Sequence, residues 1–390
     1  MVDLDWVAAP IGIDSKRWIS RPDCRTILIA AHTMVSCQRL LDIVDLIESD
    51  DRVQTVFTVA PDVFNAGLTG YLQRLGALVI PWQQAIHESF DLAIAAAHGG
   101  LNELHAPVML VAHGAGHARV FGSHPPTVYG LDSPRLIRDG RVIASALMLS
   151  HEHERDVLAR QCPDALPVAT VAGDPCFDRL TDSLAMRPAY RRALGITDHQ
   201  RLVVVSSTWG KDGLFGGAPQ LLRTLMAQLS GLRAALLLHP AILGAHGSRQ
   251  VGAWLRPCLD AGLILADPAE DWRPYIAAAD HLIGDRGSVT AYGAAVGLPV
   301  LCFQTRGDGQ AADGSPQSIV LDTAARLDVT RPLGPQLSAA TPVDHRRVAA
   351  AITSRPGKSA RLLRRAIYRL LGLPERRGSW AAAPAPRVAS

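Results

Sequence analysis

The stretch "DHLIGDRGSVTAYGAAVGLPVLCF", Asp280 to Phe303, decides how the chain is read. An apolar run enters an Asp-Arg-Gly-Ser turn, a segment of small residues follows, and Gly-Leu-Pro leads into a second apolar run. That order spells strand, helix, strand, and strands joined by a helical crossover lie parallel. Gly287 allows close backbone approach at the turn, and Ser288 is expected as the N-cap of the helix. A helix N-terminus offers unpaired N–H groups and the positive end of a dipole, so an anion fits there, and Arg286 would add a charge-assisted donor. The same Asp, Gly and Ser also serve an ordinary strand-to-helix turn, so the stretch alone leaves both uses open.

The theme repeats outward in both directions. Upstream, "TILIAA", "VQTVFTVA", "ALVIP", "DLAIAAA" and "PVMLVAHGAG" are apolar runs interleaved with the helical "CQRLLDIVDLIES" and "GLTGYLQRLG". After "RPAYRRALGI", Arg187 to Ile196, the alternation restarts with "RLVVVSSTWG", "LRAALLLHP", "LILA" and the opening stretch. Such alternation implies parallel sheets covered by helices on both faces. The expectation is an α/β chain of two doubly wound, Rossmann-like domains facing a cleft, spanning 1–185 and 186–345, with a basic helical tail over 346–390. Ligands in such sheets sit beyond the carboxyl ends of the strands.

Composition narrows the class. The chain has 390 residues, 48% of them hydrophobic and 19% charged, enough for two full cores. Six scattered cysteines without a Cys-x-x-Cys pair, and an N-terminus without a basic-then-apolar pattern, point to reduced thiols and a cytoplasmic protein. No apolar run reaches the roughly 20 residues of a membrane span. The net charge of +3 conceals an asymmetry, since His345 to Ser390 holds 11 Lys and Arg against one acid. "SARLLRRAIYRLLGL" sets Leu363, Ile367, Leu370 and Leu371 on one helical face, with Arg361, Arg364, Arg365 and Arg369 over the rest. This pattern suits a helix lying on an anionic membrane surface, peripheral to the inner face of the cell membrane, and equally a last helix packing back on the domains. The end beyond Pro374 is poor in core-forming residues and is expected to be disordered. Basic residues confined to the tail and 5% aromatics give no support to nucleic-acid binding.

Candidate chemistry gathers at expected strand ends. His113 closes "PVMLVAH" with Gly114 and Gly116 behind it, and could act as a general base. Ser207, Thr208 and Trp209 follow "LVVVS", offering hydroxyls and turn N–H groups. His239-Pro240 ends "LRAALLL", where a histidine can donate to a phosphate oxygen. His151 and His153, two apart in "SHEHERD", fall on different helix sides and make no metal site; Ser150 reads as the cap of that helix.

Taken in order, these pieces resemble the CDP-glycerol (polyol) glycerophosphotransferase family, whose members adopt the two-domain GT-B glycosyltransferase fold. The matching motifs are His113-Gly114, "GDPCFDRL" from Gly173 to Leu180, Thr208-Trp209, His239-Pro240, and "DRGS" followed by "GLPVL". Five motifs in one order over most of residues 107 to 303 are more specific than any one alone. The resemblance implies His113 as general base on the acceptor hydroxyl, with Gly114 on the acceptor side. It implies a donor site at His239, Asp285 and Ser288, joined by Ser207, Thr208, Trp209, Arg286 and Gly287. Where the family has Tyr and Ser in the turn, this chain has Arg286 and Gly287, and the family's later acid falls at Tyr292 or Gly293. In that respect "DRGS" is also similar to the nucleotide-sugar turn of UDP-N-acetylglucosamine 2-epimerases. The expected function is therefore transfer of a glycosyl or polyol-phosphate group from a CDP- or UDP-linked donor to a hydroxyl acceptor, with no cofactor or metal. The alternatives are an epimerase-like enzyme and a non-catalytic nucleotide-binding protein. The acceptor loops, "AHGGLNELHAP" and "VFGSHPPTVYGLDSPRLIRDG", carry no readable chemistry.

Overall fold

A computed structural model describes residues 11, 20, 21, 23–122, 126–228, 231–304 and 311–376. The sequence readings made on the first ten residues and on 377–390 lie outside the described residues. The chain separates into two units, one drawn from Met1–Gly116, Thr127–Cys176 and Ser354–Trp380, the other including His117–Pro126 and Phe177–Thr353.

The first unit is built on seven strands: β1 (Arg25–Ala31), β2 (Val53–Val59), β3 (Val79–Ile80), β4 (Leu92–Ala95), β5 (Val108–Val111), β6 (Ala146–Leu149) and β7 (Ala169–Val171). They lie in the order β7-β6-β5-β4-β1-β2-β3, and every neighbouring pair is parallel. Ile27 to Ala31 are fully buried, which explains why β1 reads as an unbroken apolar run: helices cover it on both faces. Thr33 caps the helix Met34–Val44 by accepting from the Ser36 N–H at 3.2 Å, while the Ser36 hydroxyl accepts from the Thr33 N–H at 2.8 Å. The second helix expected here is found at Leu68–Arg74. Strands β6 and β7 were not expected from sequence.

The tail completes this unit. Leu363, Ile367, Tyr368 and Leu371 of the helix Ser359–Leu371 are buried in one cluster with Leu46 and Ile47. Tyr368 donates to the Asp50 carboxylate at 2.7 Å, and Arg364, buried rather than solvated, donates to the Leu46 carbonyl. The apolar face is thus spent on the protein's own core, and only Arg361, Arg365 and Arg369 of the four helix arginines remain exposed. Residues 354–376 therefore group with the first unit rather than standing as a separate tail.

The second unit carries β8 (Arg201–Ser207), β9 (Leu232–Leu238), β10 (Ile264–Leu265), β11 (His281–Gly284), β12 (Val300–Cys302) and β13 (Ala325–Arg326) in the order β10-β9-β8-β11-β12-β13, all parallel. The strand-helix-strand reading of Asp280 to Phe303 holds: β11 pairs with β12 in parallel register, and the helix Ser288–Ala295 connects them. Its small residues have a packing cause. A Cβ on Gly284 would stand 2.3 Å from the Thr290 hydroxyl, and one on Gly293 2.4 Å from Leu282 Cδ2, so the helix lies close on its own strand only because both are glycine. Two cap assignments change: Gly287, not Ser288, is the N-cap here, and His151, not Ser150, caps the helix Glu152–Gln161 by accepting from the His153 N–H at 2.9 Å.

Among the described residues, no helix is long and apolar enough to cross a membrane, and all six cysteines are free thiols.

Candidate nucleotide and base sites

In the second unit the strand order reverses between β8 and β11, where connections leave in opposite directions and open a crevice at the carboxyl ends. Ser207 ends β8, His239 follows β9, and Asp285 to Ser288 follow β11, so three neighbouring strands bring these residues to one edge of one sheet.

Asp285 organises that edge. Its Oδ2 accepts from the backbone N–H of Thr208 at 2.8 Å and of Leu214 at 2.9 Å, and its Oδ1 accepts from Gly287 N–H at 3.0 Å. With the residue only 2% exposed, both oxygens are committed to the protein, and the side chain ties the β8 loop to the β11 turn across the switch point. Burial pushes its carboxyl above the ordinary range, against the downward pull of the three N–H donors and Arg286. Ser207 is committed likewise: its hydroxyl donates to the Thr208 carbonyl and accepts from Phe215 N–H, both at 2.8 Å.

The loop after Thr208 is wound too tightly for a side chain at two of its positions. A Cβ on Gly213 would meet the Thr208 carbonyl oxygen at 2.3 Å, and one on Gly216 would meet the Gly210 oxygen at 2.6 Å. Trp209 stands out from this loop, 39% exposed, with the Arg119 guanidinium 5.9 Å from its ring centre.

His239 sits half-buried at the head of the helix Pro240–His246, its Nδ1 accepting from Ala241 N–H at 3.1 Å. That bond leaves the imidazole proton on Nε2, a donor. Gly287 and Ser288 open the helix Ser288–Ala295, in which the Thr290 and Ala291 N–H groups already donate to the Gly287 carbonyl at 3.1 and 3.3 Å, so the N–H groups of Ser288 and Val289 stand ahead of the helix's own ladder. The Ser288 hydroxyl takes a long 3.4 Å bond from Gln317, and Arg286 is half-buried beside Asp285.

In the first unit His113 follows β5 and is exposed, with Nδ1 2.7 Å from the Ala96 carbonyl at the end of β4. A carbonyl can only accept, so Nδ1 carries the proton and Nε2 the lone pair, the tautomer a general base requires. The neighbouring Gly114 carbonyl accepts from Gly116 N–H at 2.9 Å and from Arg39 Nη2 at 3.0 Å. Gly116 needs to be glycine: its φ is +68°, and a Cβ there would stand 2.9 Å from the Glu154 carboxylate.

Sequence reasoning missed His32, which follows β1 at this unit's own switch point, between β1 and β4. It is 1% exposed, bonds the Gly99 carbonyl through Nε2 at 2.7 Å, and burial lowers its pKa below 6.5. Only its place at the end of "TILIAA" could have marked it. Among the described residues, no group of three His, Cys, Asp or Glu is gathered to hold a metal ion.

No family model matches the chain, and no curated protein matches it in sequence. Solved structures do. The wall teichoic acid polymerase TagF with CDPG superposes with a TM-score of 0.58 at 12% identity, over 89% of this chain and 88% of that one. UDP-GlcNAc 2-epimerase from Neisseria meningitidis bound to UDP-GlcNAc gives 0.54 at 11% identity, over 88% and 100%. MnaA of S. aureus with UDP gives 0.57 at 11% identity, over 92% and 100%. At such identities the likeness shows the fold, which is the two-unit GT-B arrangement of parallel α/β sheets.

Proposed function

We propose that the chain is a GT-B enzyme that binds a nucleotide-diphosphate donor and transfers its glycosyl or polyol-phosphate group to a hydroxyl acceptor. The observation that carries this reading is the gathering of His239, the Thr208 loop and the Arg286–Ser288 turn at the switch point of the second unit's sheet. The donor diphosphate sits on the N-terminus of the helix Ser288–Ala295, with Nε2–H of His239 and the Arg286 guanidinium as donors. Gly287 gives the backbone room, and the exposed Trp209 ring offers the base a face. Asp285 and Ser207 act as positioning residues, because their polar atoms are already engaged. His113, with Gly114 beside it, removes the proton of the acceptor hydroxyl through Nε2. The reaction then needs positioning, phosphate neutralisation and a base, and no nucleophilic side chain.

Named relatives in fold were solved with CDPG, UDP-GlcNAc and UDP, which supports a CDP- or UDP-linked donor here. The likeness to the polymerase and to the epimerase is nearly equal, with TM-scores of 0.58 and 0.54, so an epimerase-like reaction stands as the second reading. Release of UDP from a UDP-amino sugar without any acceptor separates it from transfer. Membrane contact, if made through the tail, would rest on charge alone from Arg361, Arg365 and Arg369, since the apolar face of that helix is buried.

The test is a pair of substitutions. His113→Ala is expected to abolish turnover while nucleotide affinity stays within about twofold. His239→Ala is expected to weaken nucleotide binding roughly tenfold, the value of one charge-assisted hydrogen bond. Wild-type binding and turnover in both variants would refute the assignment.

A further inference from the structure

Two opposite charges lie buried in the first unit without any part in the reaction proposed above. Arg39, on the helix Met34–Val44, is 4% exposed, and Asp174, in the Gly-Asp-Pro segment after β7, is fully buried. Arg39 Nη1 stands 3.3 Å from Asp174 Oδ1 and Nη2 3.4 Å from Oδ2, while Nη2 also donates to the Gly114 carbonyl at 3.0 Å. A buried ion pair is a poor source of stability, since desolvation offsets its attraction, so its presence asks for another reason. The third bond supplies one, because it ends on the residue next to His113.

The geometry points to Arg39 and Asp174 as positioning residues for His113. The imidazole is held from two directions. Nδ1–H is fixed on the Ala96 carbonyl, and the carbonyl of Gly114, the residue after His113, is fixed by the Arg39 guanidinium, which the Asp174 carboxylate orients. The His32 ring extends the clamp by bonding Gly99, three residues beyond Ala96 in the same β4 loop. A fork of planar N–H donors suits this task, and a lysine could not hold the carboxylate and the carbonyl together in the same geometry. The pair thereby keeps the Nε2 lone pair of an otherwise exposed histidine pointing one way.

This inference rests on the reading of His113 as the base, and the experiment separates the two. Arg39→Gln or Asp174→Asn alone leaves a buried charge and could unfold the unit, so the test variant is the double Arg39→Met, Asp174→Val, which replaces the pair by apolar side chains of nearly the same combined volume. Nitrogen NMR of the full chain, with the His113 signal assigned by its loss in His113→Ala, reads the tautomer directly. The wild type is expected to show a single Nδ1–H form, and the double variant a mixture. Donor consumption in the presence of acceptor is expected to fall at least tenfold in kcat, with the donor KM and the nucleotide-induced rise in Tm unchanged. An unaltered tautomer and an unaltered kcat in the folded double variant would overturn the positioning role. If His113→Ala itself turned over at the wild-type rate, it would be the assignment of the base that fails.

Discussion

Asp285 ties two loops together through bonds to the backbone alone. The sequence resemblance implies a place for it at the donor phosphates; in the structure its Oδ2 accepts from two backbone N–H groups and its Oδ1 from a third. Asp285→Asn turns one acceptor into a donor facing a donor, costing about 2–3 kcal/mol. For a unit of this size that lowers Tm by roughly 5–10 °C, and nucleotide affinity should fall with it because the Thr208 loop loses its anchor. Calorimetry and a binding isotherm check both, and unchanged values would mean that the loop holds itself. Which residue types stand at the strand ends was legible, since histidine, serine and aspartate follow apolar runs whose limits the sequence marks. Which of them face a ligand was not legible, because the deciding quantity is what each polar atom already bonds. Arg39 was invisible for a related reason, as a basic residue in an amphipathic helix reads as solvated until its buried partner, distant in sequence, is found.

At the scale of elements, the strand and helix pattern from β1 to β5 and from β8 to β12 was readable because parallel strands covered on both faces are unbroken runs of Val, Ile, Leu and Ala. Strands β6, "ALML", and β7, "ATV", were missed, the first because Ala, Leu and Met favour helix more than strand. The tail helix was correctly patterned, but periodicity identifies an apolar face and not what covers it. Its burial makes a specific prediction. Leu363→Ala should cost about 2–5 kcal/mol, as for other buried leucines, and lower the Tm of the first unit while leaving nucleotide binding by the second intact. A surface helix would lose almost nothing, so a Tm shift below about 1 °C would contradict the packing.

At the scale of the whole molecule, each unit carries a histidine whose pKa its surroundings lower. Burial lowers the pKa of His32 in the first unit; burial, then Arg201, lowers that of His281 in the second. The unfolded chain takes up these protons near pH 6.5, whereas the folded chain resists them, so the unfolded state binds more protons just below that value and stability rises with pH there. The contribution is complete above about pH 6.5 and is lost as pH falls toward the folded pKa values. Tm should therefore drop by a few degrees between pH 7.5 and 5.5, and His32→Gln should remove part of the drop. A flat profile across that range would contradict the lowered pKa of both rings.

The central claim is that the crevice at the carboxyl ends of β9, β8 and β11 takes a nucleoside diphosphate. Thermal unfolding of the full chain with CDP, UDP, GDP and dTDP at about 1 mM tests it most directly. Binding near 100 μM would add about 1.4 kcal/mol, a rise of roughly 3–6 °C. Such a rise is expected with CDP or UDP, and its loss in His239→Ala; no rise with any of the four would contradict nucleotide binding at this crevice.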